Sequence, residues 1–386
     1  MPALYVHIPF CLSKCYYCDF VSAVHESKLA GRYVDALCRE SALRAEELER
    51  SPGAKSGALE APTVFFGGGT PTTLEVDQLG RILAALRRDF RLQSDAEITI
   101  EANPRTHVFA STGSLAKLRE HGANRLSIGA QSFDDNLLRV IGRDHGASEV
   151  EAAVSRARTE GFDNLSIDLI FALPGQSLGQ WERTLERALA LNTEHISLYN
   201  LTIEEGTVFG ERYRRGEMEP APSDLEADMF ALAITRLTAA GYDHYEVSNF
   251  ARPGCRSRHN QIYWRREDYL GLGVGAHSCI GYTRFANGRN TLNYVKAIEQ
   301  GRSAEETRED IAIDEAIGEA LWLGLRQTDG VNLTSLSTRF GIDPSRRYQR
   351  EIQRLLERGL LRRAGESLSL TRQGLFLGNE VFCQFA

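Results

Sequence analysis

The chain has 386 residues, enough for a large core domain with one or two smaller ones, because single cores rarely keep growing past about 250–300 residues. With 42% hydrophobic and 25% charged residues it has the balance of an ordinary soluble globular protein, which excludes wholesale disorder. A formal net charge of -7 argues against a chain whose main task is to coat nucleic acid or an anionic membrane, so no nucleic-acid partner is expected.

The opening segment, Met1 to Phe10, shows no basic stretch, long apolar stretch or cleavage site of an export signal, so a cytoplasmic location is expected. No run approaches the roughly 20 apolar residues of a membrane span, and an integral membrane protein is not expected. Strand-like runs at Leu4–Ile8, Thr63–Phe66, Glu97–Glu101, Arg125–Gly129, Leu165–Ile170 and His195–Asn200 alternate with helical patterns, among them Ser27–Glu49, Ser111–His121 and Ser177–Leu191. That rhythm predicts βα units around a parallel sheet. The polar, small-residue stretch Ser51–Ala58 reads as a surface loop. After about residue 205 the rhythm stops. A helix near Ser223–Ala240 leads into a Gly- and aromatic-rich region, and from about Asp314 a helix, short helix, helix and wing at Ser367–Thr371 predict a winged-helix-like unit with a structural or lid role. The expected division is 1–210, 211–310 and 311–386.

Seven cysteines, three of them within eight residues and none with an export signal, point to metal or redox chemistry rather than disulfides. Cys11, Cys15 and Cys18 follow the first predicted strand with C-x3-C-x2-C spacing. Three thiolates on a four-iron cube leave one iron without a cysteine ligand, open to a substrate. A zinc site with His7 or Asp19 as fourth ligand is the alternative. The Gly67-Gly68-Gly69-Thr70-Pro71 turn ends the second strand, where missing side chains let a ligand approach the backbone. Glu101, Gln131 and Asp168 fall at the ends of the next three strands, the rim where ligands of parallel barrels collect.

The cysteine motif resembles that of the radical S-adenosylmethionine (SAM) superfamily, in which the open iron of a [4Fe–4S] cluster chelates SAM and reductive cleavage yields a 5′-deoxyadenosyl radical. Leu4–Cys11, the glycine run with Thr70-Pro71-Thr72, Glu101–Pro104, Ser127–Phe133 and Asp168–Ile170 are similar to the oxygen-independent coproporphyrinogen oxidase branch over nearly the whole chain. The resemblance implies an α/β fold, an incomplete (β/α)6 barrel with C-terminal helical, winged-helix-like additions. It implies contacts to a first SAM from Tyr5, Gly68 and Glu101, and to a second from Gly69, Thr70, Gln131, Arg143 and Asp168.

Two departures separate the chain from the true oxidase: Phe20 stands where that enzyme has a further cysteine, and the motif strand begins at residue 4 without a preceding extension. His259-Asn260-Gln261-Ile262-Tyr263-Trp264 instead resembles the H-N-x-x-Y-W motif of HemW, a branch associated with haem binding and delivery. The resemblance implies haem as ligand with His259 on the iron, apo-haemoproteins such as respiratory enzymes as recipients, and a flavodoxin- or ferredoxin-type reductant. Cys255 and His277 are weaker ligand candidates, and Gly271–Gly275 is a run that can bring backbone close to a flat ligand. The alternatives are coproporphyrinogen III dehydrogenation, a haem-modifying radical SAM methyltransferase, and a nucleic-acid regulator that uses the cluster as sensor.

Overall fold

The computed structural model describes residues 1–50 and 59–386; the expected loop at Ser51–Ala58 lies outside the described residues. Six strands carry the first half: β1 (Ala3–Ile8), β2 (Glu60–Gly68), β3 (Arg91–Ala102), β4 (Arg125–Gln131), β5 (Leu165–Phe171) and β6 (His195–Asn200). They are hydrogen-bonded in chain order and every neighbouring pair is parallel. Parallel neighbours need crossover connections, and helices such as Ser27–Arg50, Val76–Asp89 and Leu178–Ala190 supply them. The last starts where expected because Ser177 and Gln180 form a capping box. The third strand begins earlier than its apolar pattern suggests, since Arg91 and Leu92 pair with Glu60 and Ala61; the partner sets that boundary.

Alternation along each strand decides what the two faces of the sheet carry. Leu4, Val6 and Ile8 of β1 and Leu126 and Ile128 of β4 join the apolar core under the helices. Their neighbours Tyr5, His7, Arg125 and Ser127 face the concave side, whose lumen is polar: Ser127 bonds Asp168, and Ser166 bonds His195.

Residues 243–310 rejoin the same sheet. The strand Tyr269–Leu272 pairs in parallel with β1, and Asn249–Ala251 pairs antiparallel with β6. Other strands thus continue both edges of the six, and the sheet is open, as an incomplete barrel must be. Beyond residue 312, the helices Ile313–Gly324, Leu333–Phe340 and Gln349–Glu357 pack with an antiparallel hairpin, Leu361–Ala364 and Ser367–Leu370, around a second apolar core that includes Ile317, Leu321, Leu355 and Leu368. Among the described residues no helix is long and apolar enough to cross a membrane.

Candidate functional site

The cysteine loop starts where β1 ends and is stitched to the end of β2. The Gly69 amide donates to the Ile8 carbonyl at 2.8 Å, and the Thr70 amide to the Phe10 carbonyl at 2.7 Å. This approach requires glycine. A Cβ on Gly68, whose φ is +107°, would lie 2.4 Å from the His7 ring, and one on Gly69 would lie 2.7 Å from the Phe10 carbonyl oxygen.

Cys11, Cys15 and Cys18, each partly exposed, line one cavity of about 370 Å³ at the C-terminal ends of the strands. Gly68, Gly69, Thr70, Glu101, Gln131, Arg143 and Asp168 line it too, so the structure brings together nearly all the residues selected from the sequence. Tyr5 sits lower in the lumen, its hydroxyl 3.0 Å from His7 Nδ1. Gln131 is held at φ +63°, a left-handed conformation that side chains other than glycine seldom adopt and that clusters at functional sites.

Arg143 Nη1 approaches Cys15 Sγ at 3.4 Å while Nη2 donates to the Gly129 carbonyl at 2.8 Å. Burial raises the Cys11 and Cys18 thiols. Among the described residues no group of three or more His, Cys, Asp or Glu lies close enough to hold a single metal ion. His7, one candidate fourth ligand for zinc, is committed elsewhere, with Nε2 bonded to the Val21 carbonyl at 2.8 Å. Three thiols that line one cavity without converging on a single point suit a cube in which each cysteine meets its own iron better than they suit one zinc ion.

Two buried carboxylates share the cavity with the thiols. Burial, with Asp168 nearby, pushes Glu101 up to about 8, against a hydrogen bond from the Gly68 amide. Burial also raises Asp168, although the Ser127 hydroxyl donates to both of its oxygens at 3.1 Å. Such carboxylates gain from a ligand that brings positive charge or hydroxyl donors. Among polar neighbours such as Lys14, Asp19 and Asn200, the mouth also carries two exposed aromatic rings: Phe20 is 61% and Tyr199 44% exposed. The residues that line the cavity run from Cys11 to Glu204; the C-terminal unit is joined to the sheet through the Val247 amide on the Arg326 carbonyl and the Thr328 amide on the Tyr245 carbonyl.

His259 is not part of this cavity. The helix Arg258–Trp264 lies against the N-terminal ends of β2 and β3, at the floor of the barrel, where the Glu97 carboxylate accepts its Arg258 and His259 amides at 3.1 Å. The imidazole is 1% exposed, with Nδ1 2.8 Å from the Thr63 hydroxyl, Nε2 2.8 Å from the Tyr263 hydroxyl, and its ring stacked on Phe65. Both ring nitrogens are occupied, so for His259 to meet haem iron one of these hydrogen bonds must open. Trp264 turns the other way, under the Arg326 guanidinium. The Gly271–Gly275 run packs closely on protein: a Cβ on Gly273 would meet the Tyr33 hydroxyl at 2.5 Å, and one on Gly275 the Val21 side chain at 2.9 Å. These glycines let protein pack on protein behind the cysteine loop. Neither Cys255 nor His277 reaches the cavity.

A floor role makes a stability prediction. Burial holds His259 down to about 3, so the folded imidazole stays neutral. His259→Ala should cost about 2–4 kcal/mol at neutral pH through a cavity and two lost hydrogen bonds, measured by denaturant unfolding. An unfolded histidine binds a proton below about pH 6.5 whereas this folded one does not, so wild-type stability falls as pH drops below that value. The variant should show a shallower acid slope; an identical slope and midpoint would refute the floor role.

Residues that line the site but were missed in the sequence include Ser127 and Tyr199. Their signal was weak but present: polar side chains alternating with apolar ones inside strands that otherwise read as fully buried.

Three thiols beside a glycine turn and buried carboxylates, at the C-terminal mouth of an open six-stranded parallel barrel, define the architecture of a radical SAM protein. The family model described as the Radical SAM superfamily matches residues 5–188, and that of the HemN C-terminal domain matches residues 312–377. The Heme chaperone HemW of Bacillus subtilis (strain 168) is 39% identical over 100% of this chain and 99% of its own length. The Heme chaperone HemW of Escherichia coli (strain K12) is 38% identical over 81% of this chain and 79% of its own. Among solved structures, coproporphyrinogen III oxidase (HemN) from Escherichia coli, a radical SAM enzyme, superposes with a TM-score of 0.84 at 26% identity, covering 100% of this chain and 90% of that one. The chain belongs to the HemW family of radical SAM proteins. Superfamily membership implies a [4Fe–4S] cluster and SAM.

Proposed function

We propose that the chain is a haem chaperone, which binds haem and passes it to apo-haemoproteins such as respiratory enzymes. The full-length relation to proteins named heme chaperone carries this reading. Cys11, Cys15 and Cys18 are assigned to a [4Fe–4S] cluster and the adjoining cavity to SAM, with haem as the cargo. When bound, the cluster supplies single electrons, which a flavodoxin- or ferredoxin-type protein would deliver. The residues of the chain then have separate tasks. Glu101 and Asp168 present acceptors to the amino group and ribose hydroxyls of SAM, and the glycine run leaves room for it against the backbone. Arg143 spans Cys15 and the Gly129 carbonyl, which fixes one cysteine against the β4 rim. The exposed rings of Phe20 and Tyr199 offer flat apolar surface at the mouth.

Phe20 also favours the chaperone over the oxidase, because a phenyl ring has neither the acid–base nor the redox chemistry of a thiol. Reconstituted protein given coproporphyrinogen III, SAM and a reductant should form no protoporphyrinogen IX, assayed beside a genuine oxidase. Product at a rate comparable to that oxidase would overturn the reading.

A further inference from the structure

The cysteine loop is held on two sides. On one, the glycine turn of β2 bonds the Ile8 and Phe10 carbonyls; on the other lies the turn Gly273–Gly275. The loop's return limb pairs with its outgoing one, the Ala23 amide on the Pro9 carbonyl at 2.7 Å and the His25 amide on the Cys11 carbonyl at 2.9 Å. Gly275 leaves no room for a Cβ before Val21, which heads that limb, and Gly273 leaves none before the His7 carbonyl. The Tyr33 hydroxyl ties the same parts together: it donates to the His7 carbonyl at 2.8 Å and accepts the Val274 amide at 2.9 Å. One carboxylate holds the turn. Glu40, 2% exposed in the helix Ser27–Arg50, accepts the Gly273 amide and the Tyr294 hydroxyl, both at 2.7 Å, on one oxygen, and the Asn287 amide at 2.6 Å on the other. Asn287 Nδ2 also donates to the Gly273 carbonyl at 2.8 Å, while its oxygen meets the Arg44 guanidinium at 3.3 Å, so this amide cannot turn over. Each of these partners donates to Glu40, a demand that two acceptor oxygens meet and the half-donor amide of a glutamine does not.

A buried carboxylate is costly unless its acceptor sites are met, and here the donors that meet it belong to the turn and its anchors. We infer that Glu40 is a positioning residue of the cofactor site. By pinning Gly273–Gly275 it sets where the return limb, and with it Cys11 and Cys18, stands against the glycine turn of β2. Cys11, Cys18 and Ser22 of the loop and Gly68, Gly69 and Thr70 of the turn are walls of the cavity assigned to SAM. This rests on the reading of the three cysteines as cluster ligands with SAM beside them. Tyr33, Glu40, Gly273, Asn287 and Tyr294 do not line the cavity, so Glu40 acts on SAM only through the loop.

Because all three cysteines remain, reconstituted Glu40→Gln should still take up iron like the wild type. It should bind SAM about tenfold more weakly, the scale of one buried polar group left without its partner, with a smaller SAM-induced change in the EPR spectrum of the reduced cluster. Tyr33→Phe, which cuts the links to the His7 carbonyl and the Val274 amide, should do the same. Tyr294→Phe removes a hydrogen bond from the same carboxylate but leaves the Gly273 amide on it. That variant should lower the unfolding midpoint and leave SAM affinity and spectrum as in the wild type, which separates positioning from loss of stability. Should Glu40→Gln fail to fold, Tyr33→Phe against Tyr294→Phe gives the same comparison. Wild-type affinity and spectrum in folded Glu40→Gln, or an equal loss in Tyr294→Phe, would overturn the role of Glu40 alone. A wild-type cluster whose spectrum SAM does not perturb would instead overturn the reading of the cavity on which that role rests.

Discussion

Replacing Cys15 by Ala abolishes the cluster: after anaerobic reconstitution, iron should fall from about four per chain in the wild type to almost none. Two cysteines cannot hold a cube that three hold with one iron open, and Cys15 sits in the middle of the loop. The Cys18 amide donates to its carbonyl, and Arg143 reaches its sulfur. A side chain cut back to a methyl removes the thiolate without disturbing the turn, so the loss reports ligation and not misfolding. Cys38→Ala is the control, since that thiol lies in the helix Ser27–Arg50, packs against the apolar core and donates to the Arg81 carbonyl, away from the cysteine loop. Iron content unchanged in Cys15→Ala, with an EPR signal still perturbed by SAM, would falsify the cluster assignment.

The second large effect is expected at Gly68. Alanine there has two penalties: a left-handed backbone, costing about 1–3 kcal/mol, and a Cβ driven into the His7 ring. To relieve the clash, His7 must give up the Val21 carbonyl or the end of β2 must withdraw from the cysteine loop. Either movement reaches the cavity wall that SAM is proposed to occupy. Gly113→Ala separates the two penalties, because Gly113 also has positive φ, +81°, but faces open space. Gly68→Ala should lose at least about tenfold in SAM affinity, roughly 1.4 kcal/mol, and Gly113→Ala should lose none. Equal behaviour of the two variants would mean that the glycine turn is not part of the cofactor site.

How far the sequence can be read differs between the two ends of the barrel. At the mouth, function and local pattern coincide. A strand end, a cysteine spacing, a glycine turn and carboxylates at successive strand ends are each visible within a few residues, and parallel topology places them on one rim. The floor is different. His259 stands in a motif with aromatic neighbours, and its surroundings are Thr63, Glu97 and Phe65, residues about 160 to 200 positions away that no local pattern connects to it. In a Gly- and aromatic-rich region, seven residues are too few for periodicity to show that Arg258–Trp264 is helical or which surface it caps. The edge strands escaped for a related reason: Tyr269–Leu272 is a short apolar run among glycines, and only pairing with β1 makes it a strand. Arg125 was hidden because a charged residue starting an apolar strand reads as a strand boundary, whereas here it is buried on the strand's inward face.

The central claim, that this radical SAM protein carries haem, is tested most directly by titrating haem into anaerobically reconstituted protein and following the Soret band. The account predicts saturation at one haem per chain and transfer of that haem to an added apo-haemoprotein. A folded, cluster-loaded protein that shows no saturable haem binding would contradict the account, and a Soret band altered by His259→Ala would show that the floor helix opens to deliver the ligand.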